Sequence, residues 1–349
     1  MMRFQPLKVT DIRPTTRDAV VVTLDAPFDW VQGQYLTFRR SFDGTEIRRS
    51  YSICAAPGEP CQVAIKRVEG GAFSTWANES LAPGDTLDVM PPMGRFHTPL
   101  APDAATRYLL ITAGSGITPI LSIARTVLAA EPKAQVTVLY ANRAVNSIMF
   151  QTELDDLKSQ HLTRLQIVHV LKQDAQQIPL FTGRLDADKL DALFAQWIDP
   201  DTIDRAFICG PEGLMETARA RLEAHGVNPA EIHVELFGST QPGRLPQSAR
   251  SDAPQPPTRA TIRLDGVPHE ITMERDQSLL DAARANALDA PFACKAGVCS
   301  TCMCRVVEGE VEMIQNHALD DDEVSRGYVL SCQSYPLTDS VVVDYDTGH

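Results

Sequence analysis

The apolar positions of this chain change their spacing from one third to the next. Up to about residue 103 they come in short runs: Ala19–Leu24, Tyr35–Phe38, Gln62–Lys66 and Thr86–Met90. Breaks at Pro57-Gly58, Pro83-Gly84 and Pro91-Pro92-Met93-Gly94 separate them. Many short strands with turns between them predict an antiparallel β-barrel or sandwich. From Thr106 onward, continuous apolar runs alternate with helical stretches. The runs are Arg107–Thr112, Val136–Tyr140, Leu165–Val170 and Arg205–Cys209. The helices are expected up to about Ala130, around Ile148–Leu157, near Ala187–Trp197 and over Glu212–His225. That alternation predicts a parallel, doubly wound α/β sheet.

Ser239–Thr258 holds five prolines and almost no apolar side chain larger than Ala, so it predicts a tether rather than a core. Beyond it, Arg259–Leu264 and His269–Met273 flank Asp265-Gly266 as a hairpin. A helix over Ser278–Asn286 with Ser278 as its N-cap follows, then a strand over Met303–Val307. The expected domains are therefore 1–104, a β-barrel; 105–238, an α/β domain; 239–258, a linker; and 259–349, a small α+β domain.

Composition narrows the function classes. Hydrophobic residues at 44% and charged residues at 22% are ordinary for a globular chain. No run of about 18 apolar residues is present, so no membrane span is expected. The start, Met-Met-Arg-Phe-Gln-Pro-Leu-Lys, has no apolar signal core, which makes the cytoplasm the expected compartment. The net charge of −13 disfavours nucleic acid as a partner. From Arg259 onward 16 Asp and Glu stand against 7 Lys and Arg, a net of −9, leaving −4 for the rest. An acidic C-terminal domain can steer a basic protein partner. Solvated charge for solubility explains the same excess equally well.

The strongest chemical signal is Cys294-Lys-Ala-Gly-Val-Cys299-Ser-Thr-Cys302 with Cys332 beyond it. The spacing is C-x4-C-x2-C, then 29 residues, then C. Three thiolates on one tight loop and a fourth far away is the plant-type [2Fe–2S] arrangement. The metal ligands read from it are Cys294, Cys299, Cys302 and Cys332. A four-thiol zinc site is the alternative, but Cys332 lacks the second C-x2–4-C pair that zinc favours. Cys304 shares a strand face with Cys302 and is a rival ligand; the x2 spacing favours Cys302.

Two further constellations lie on the barrel. In Arg49-Ser50-Tyr51-Ser52, an extended strand sends Arg49 and Tyr51 to one face and Ser50 and Ser52 to the other. Arg49 can clamp a pyrophosphate, Tyr51 can cover an aromatic ring and Ser52 can bond a ring edge. Gly70-Gly71-Ala72-Phe73-Ser74 reads as a glycine turn opening a helix, a phosphate-binding start. In the α/β region, Gly114-Ser115-Gly116 follows a strand and precedes a helix, and Cys209-Gly210-Pro211 ends another strand. Each alone is more often an ordinary structural feature.

Together, and in this order, these segments resemble the ferredoxin–NADP reductase superfamily, here with a C-terminal plant-type ferredoxin domain. The resemblance implies that Arg49, Tyr51, Ser52, Gly71, Phe73 and Ser74 hold FAD, with Lys66 and Val68 as lesser contacts. It implies that Gly114, Ser115, Gly116, Thr118, Cys209 and Gly210 hold the nicotinamide cofactor, with Thr118 also near the flavin. The resemblance further implies that Ser52, Cys209 and Phe237 take the catalytic positions, Phe237 covering the flavin ring and Glu235 lying near its proton path; a core Phe237 is the plain alternative. The end of the second α/β strand, Tyr140-Ala-Asn-Arg143, lacks the acidic residue that would repel a 2′-phosphate. Arg143 can pair with that phosphate, which favours NADPH over NADH. A solvent-facing Arg143 is the plain alternative.

Arg48–Cys54, Glu69–Ser74, Ala113–Pro119, Ala206–Pro211 and Gly327–Gln333 resemble more narrowly the family of reductase components of phenylacetyl-CoA epoxidase complexes. That likeness implies electrons passing from NADPH through FAD and a [2Fe–2S] cluster to the oxygenase subunits of a di-iron epoxidase. A reductase serving another oxygenase, of Rieske type and with NADH as an alternative donor, stays open.

Overall fold

The computed structural model describes residues 4–174, 178–237 and 256–347. The expected linker falls outside the described residues over 239–255, and its last residue, Thr258, begins a strand. The described residues form two compact units, one made of 4–47 and 51–237 and one made of 48–50 together with the C-terminal residues.

The first unit opens with six antiparallel strands: β1 (Gln5–Thr16), β2 (Ala19–Leu24), β3 (Tyr35–Phe42), β4 (Thr45–Ser52), β5 (Cys61–Lys66) and β6 (Thr86–Val89). Their order is β4-β3-β6-β1-β2-β5. A bridge from Ile53, just past β4, to Val63 on β5 brings the two edges together and closes a barrel. Helix α1 (Ala72–Glu79) begins directly after Gly71, where the glycine turn predicts a helix start. β1 is not legible in the apolar pattern, since QPLKVTDIRPTT carries polar residues at most positions. It forms because β2 and β6 both supply hydrogen-bond partners.

The second layer comprises β7 (Arg107–Ala113), β8 (Gln135–Asn142), β9 (Leu165–Leu171), β10 (Arg205–Gly210) and β11 (Ile232–Leu236). All pair in parallel in the order β11-β10-β7-β8-β9. Helices α2 (Ile117–Ala130), α3 (Gln151–Gln160), α4 (Ala187–Gln196) and α5 (Glu212–Ala224) connect them. α2 is apolar nearly all round because it is covered on both sides. Its Ile120, Leu121 and Ala124 share one core with Val138 and Phe207 of the sheet and Val21 and Ala64 of the barrel. Ser122 Oγ donates to Ala55 O at 2.7 Å across this seam, and Phe150 N donates to Thr15 Oγ1 at 2.7 Å. The barrel and the parallel sheet are thus locked to each other.

The C-terminal unit holds β12 (Thr258–Leu264), β13 (Val267–Met273), β14 (Met303–Glu308), β15 (Val311–Met313), β16 (Tyr328–Leu330), β17 (Ser334–Pro336) and β18 (Ser340–Asp344). The main sheet runs β13-β12-β18-β14-β16, and β15 pairs with β17. Helix α6 (Leu279–Ala285) is capped by Ser278 Oγ, which accepts from Asp281 N at 3.1 Å. Helix α7 (Asp321–Ser325) is short. The central strand is the last one, β18, parallel to β12 and antiparallel to β14.

Candidate functional site

The parallel sheet reverses its strand order at β7 and β10, whose helices leave in different directions, and this creates a crevice at their C-terminal ends. The turn Gly114–Gly116 stands there. Gly114 has φ +55°, and Tyr140 Oη donates to its carbonyl oxygen at 2.9 Å. A Cβ on Gly116 would lie 2.2 Å from Cys209 O, so only glycine lets this turn sit against β10.

A cleft of about 710 Å³ opens at this point. Gly114, Ser115, Gly116, Gly210, Pro211 and Phe237 line it from the strand ends. Asn142, Arg143, Ser147, Lys172 and Arg184 line it from the ends of β8 and β9 and the following loops. Arg17, Asp18 and Lys66 line it from the barrel. Five cations thus face one carboxylate, and Asp18 lies 3.9 Å from Lys66. Arg17, Arg143, Lys172 and Arg184 have no carboxylate partner among the described residues. Asn142 Nδ2 is buried without a hydrogen-bond partner. Free cations and an unpaired donor around a glycine turn fit a phosphate-rich dinucleotide.

The structure brings Lys66, Gly114, Ser115, Gly116, Arg143, Gly210 and Phe237 to this one cleft. Thr118 and Cys209 stand one layer back. Thr118 is buried and its Oγ1 donates to Ser115 O at 3.0 Å, bracing the turn from behind. Cys209 is 0% exposed, and burial pushes its thiol well above the ordinary value. The adjoining wall is formed by Gly210 and Pro211 instead. Arg17, Asn142, Lys172 and Arg184 carry no motif in the sequence that marks them for this cleft. Their signal is positional: Asn142 and Lys172 sit at the C-terminal ends of parallel strands, where such sheets bind ligands.

On the barrel, Arg49 is exposed, Tyr51 is half-buried and Ser52 is buried, as strand alternation requires. Tyr51 lies 5.8 Å from both Phe38 and Phe73, and Phe73 lies 5.6 Å from Trp76. Phe73 belongs to this aromatic core, so its side chain is not on the surface and contact there is left to the backbone at the start of α1. Ser74 Oγ accepts from Val68 N at 3.1 Å and donates to Gly71 O at 3.2 Å, which fixes the glycine turn. Val68 is 62% exposed.

Ser52 also meets the parallel sheet. Register pairs Cys209 with Glu235, and Ser52 hydrogen-bonds the Glu235 carboxyl. Burial drives that carboxyl up to about 8, with the Ser52 bond opposing the rise. Glu235 Oε2 is inaccessible and unpartnered. A buried carboxyl with one unpartnered oxygen and a raised proton affinity, beside Ser52, fits a neighbouring group that exchanges protons, as a flavin does.

In the C-terminal unit the four thiols meet two by two: Cys294 with Cys299, and Cys302 with Cys332. Among the described residues no three Cys, His, Asp or Glu gather around one point to hold a single metal ion. Two pairs are what a binuclear cluster takes. The Cys299 hydrogen bond pulls the Cys294 thiol down to about 6, helped against burial by the N–H groups of Ala296, Val298 and Cys299. The Cys302 hydrogen bond likewise lowers Cys332, on which the Gly297 N–H also acts. The loop achieves this with Lys295, Gly297 and Ser300 all at positive φ. The distant cysteine is brought in by Ser331, whose N and Oγ both donate to Cys302 O, at 3.1 and 2.8 Å. Cys304 lies on β14, fully buried in the domain core, and burial raises its thiol.

Family models agree with this division. A 2Fe-2S iron-sulfur cluster binding domain matches residues 262–337, an oxidoreductase NAD-binding domain 110–220 and an oxidoreductase FAD-binding domain 7–98. The chain is 44% identical over 358 residues to a subunit of 1,2-phenylacetyl-CoA epoxidase from Escherichia coli (strain K12), covering 99% of each. The chain belongs to the family of this epoxidase component. Among solved structures, an intact type IV self-sufficient cytochrome P450 monooxygenase matches with TM-score 0.71 at 25% identity, over 97% of this chain and 41% of that longer one. Phthalate dioxygenase reductase, described as a modular structure for electron transfer from pyridine nucleotides to [2Fe-2S], matches with TM-score 0.59 at 25% identity, over 98% of both chains. This member of the family is an NAD(P)H-dependent electron-transfer reductase with FAD-, NAD- and [2Fe–2S]-binding domains. Among its described residues no helix is long and apolar enough to cross a membrane.

Proposed function

We propose that this chain takes electrons from NADPH and delivers them, through FAD and a [2Fe–2S] cluster, to the oxygenase subunits of a phenylacetyl-CoA epoxidase complex in the cytoplasm. The observation that carries the nucleotide choice is the cationic end of the cleft, Arg143, Lys172 and Arg184, in a cleft whose one acidic lining residue among the described residues, Asp18, lies 3.9 Å from Lys66. An acidic residue there would bind a ribose 2′-OH, whereas free guanidinium groups suit a 2′-phosphate. The relationship to the Escherichia coli epoxidase component over the whole chain supports the partner.

In this reading the domains are 1–104, 105–238 and 259–349. Gly114, Ser115, Gly116 and Gly210 offer backbone to the dinucleotide, and Thr118 braces their turn. Arg49, Gly71 and the α1 start, with Phe73 and Ser74, hold the FAD pyrophosphate, Lys66 and Val68 lying alongside. Tyr51 and Phe237 flank the flavin ring, and Phe237, 39% exposed on the cleft, must move aside for the nicotinamide. Cys209 keeps the strand end apolar behind that pocket. Glu235 holds a proton on its buried carboxyl and exchanges it through Ser52 Oγ. Cys294, Cys299, Cys302 and Cys332 ligate the cluster. Bound FAD and cluster together convert two-electron oxidation of the nicotinamide into single-electron delivery.

The test is to reduce the holoprotein with NADPH and with NADH, and to couple it to the epoxidase oxygenase with phenylacetyl-CoA. Preference for NADPH in kcat/KM and phenylacetyl-CoA-dependent NADPH consumption are expected. Equal kcat/KM for both nucleotides removes the nucleotide assignment, and oxygenase turnover without this chain removes the partner assignment.

A further inference from the structure

Gln333, the residue after the fourth cysteine, takes no part in ligation. Its side chain is 5% exposed. Its Nε2 donates to the Lys295 backbone oxygen at 2.9 Å and to Cys332 Sγ at 3.6 Å. One amide nitrogen therefore links the loop that starts at Cys294 to the cysteine that arrives from far along the chain. The fit is close, since a Cβ on Gly297 would lie 3.2 Å from Gln333 Cγ.

Packing does not account for an amide here. Gln333 Oε1 is buried with no hydrogen-bond partner among the described residues. An apolar side chain of the same length would avoid desolvating that oxygen. What the amide has and an apolar chain lacks is an N–H for the Lys295 backbone oxygen and one for the Cys332 sulfur. Such donors withdraw charge from a ligand thiolate and favour the more negative, reduced cluster.

We propose that Gln333 sets the reduction potential of the cluster by donating its Nε2–H to Cys332 Sγ, holding the potential above the value that backbone donors alone provide. This rests on the [2Fe–2S] reading of the four cysteines. Gln333 is a positioning and tuning residue, not a ligand.

The experiment is a potentiometric titration of the full-length holoprotein, following the EPR signal of the reduced cluster, with iron and sulfide content measured alongside. Gln333→Met keeps the length and removes the donor. Its cluster is expected to load fully and to be harder to reduce, by at least threefold in the one-electron equilibrium, about 28 mV at 59 mV per tenfold. Gln333→Glu removes the donor and adds a negative charge at neutral pH. It should lower the potential further and regain part of the loss as the pH falls and its acid O–H becomes a donor, while the wild type changes little over that range. A loaded variant with unchanged potential overturns the proposal. So does failure of both variants to load, which would make Gln333 an assembly residue. A wild type with no [2Fe–2S] signal sinks the cluster reading itself, a separate outcome.

Discussion

Replacing Glu235 by Gln should flatten the pH dependence of stability in the unit that holds the barrel and the parallel sheet. The carboxyl lies on β11 beside Cys209, with Oε2 inaccessible and Ser52 as its hydrogen-bond partner. Burial raises it from its ordinary 4.5 to about 8. Between those values the folded chain keeps a proton that the unfolded chain has lost, so stability falls as the pH rises. At about 1.4 kcal/mol per tenfold of proton affinity, the full effect is on the order of 5 kcal/mol, of which about 3 kcal/mol falls between pH 5.5 and 8.5. Burial lowers His97, His161, His169 and His233, and these drive stability the other way below about 6.5. They cancel when wild type and Glu235→Gln are compared at each pH. Cys54 and Cys61, pushed up to about 12, contribute only once unfolded thiols ionise, which keeps the upper limit at pH 8.5. The assay is urea unfolding followed by tryptophan fluorescence, because Trp30, Trp76 and Trp197 all lie in this unit. If the variant loses as much stability between the two pH values as the wild type does, Glu235 is not the buried proton carrier described above.

Arg143→Ala should raise KM for NADPH about 5- to 150-fold, from the ~1–3 kcal/mol of a charge-assisted phosphate contact, with little change for NADH. Equal effects on both nucleotides in steady-state assays refute the 2′-phosphate role. Cys302→Ser should abolish the visible absorbance of the cluster while Cys304→Ser preserves it; the reverse result would move the third ligand to β14. Gly116→Ala should suppress flavin reduction by either nucleotide while the protein still purifies with FAD, since the added Cβ would lie 2.2 Å from Cys209 O. Normal single-turnover reduction in that variant would contradict the close approach of turn and strand.

The sequence by itself determined the three kinds of layer and most of the chemistry, because those signals are local. Runs such as Ala19–Leu24 and Arg107–Ala113 carry their period in consecutive residues. The cysteine spacing, Arg49–Ser52 and Gly114–Gly116 each state their residue types within one turn or strand. Strands β1 and β18 are not legible there, because a polar-rich strand and a short chain-end strand take their place from partners far away in sequence. The same limit applies to the cleft. Arg17, Lys172 and Arg184 become one cationic surface only after the β1–β2 hairpin, the end of β9 and the loop before α4 are folded side by side. The pairing of thiols into Cys294 with Cys299 and Cys302 with Cys332, and the reach of Gln333 to both loop and sulfur, also exist only in three dimensions. Spacing names the donors of a site, but burial and the partners that remain to each donor depend on the folded neighbourhood, and these decide protonation, access and potential.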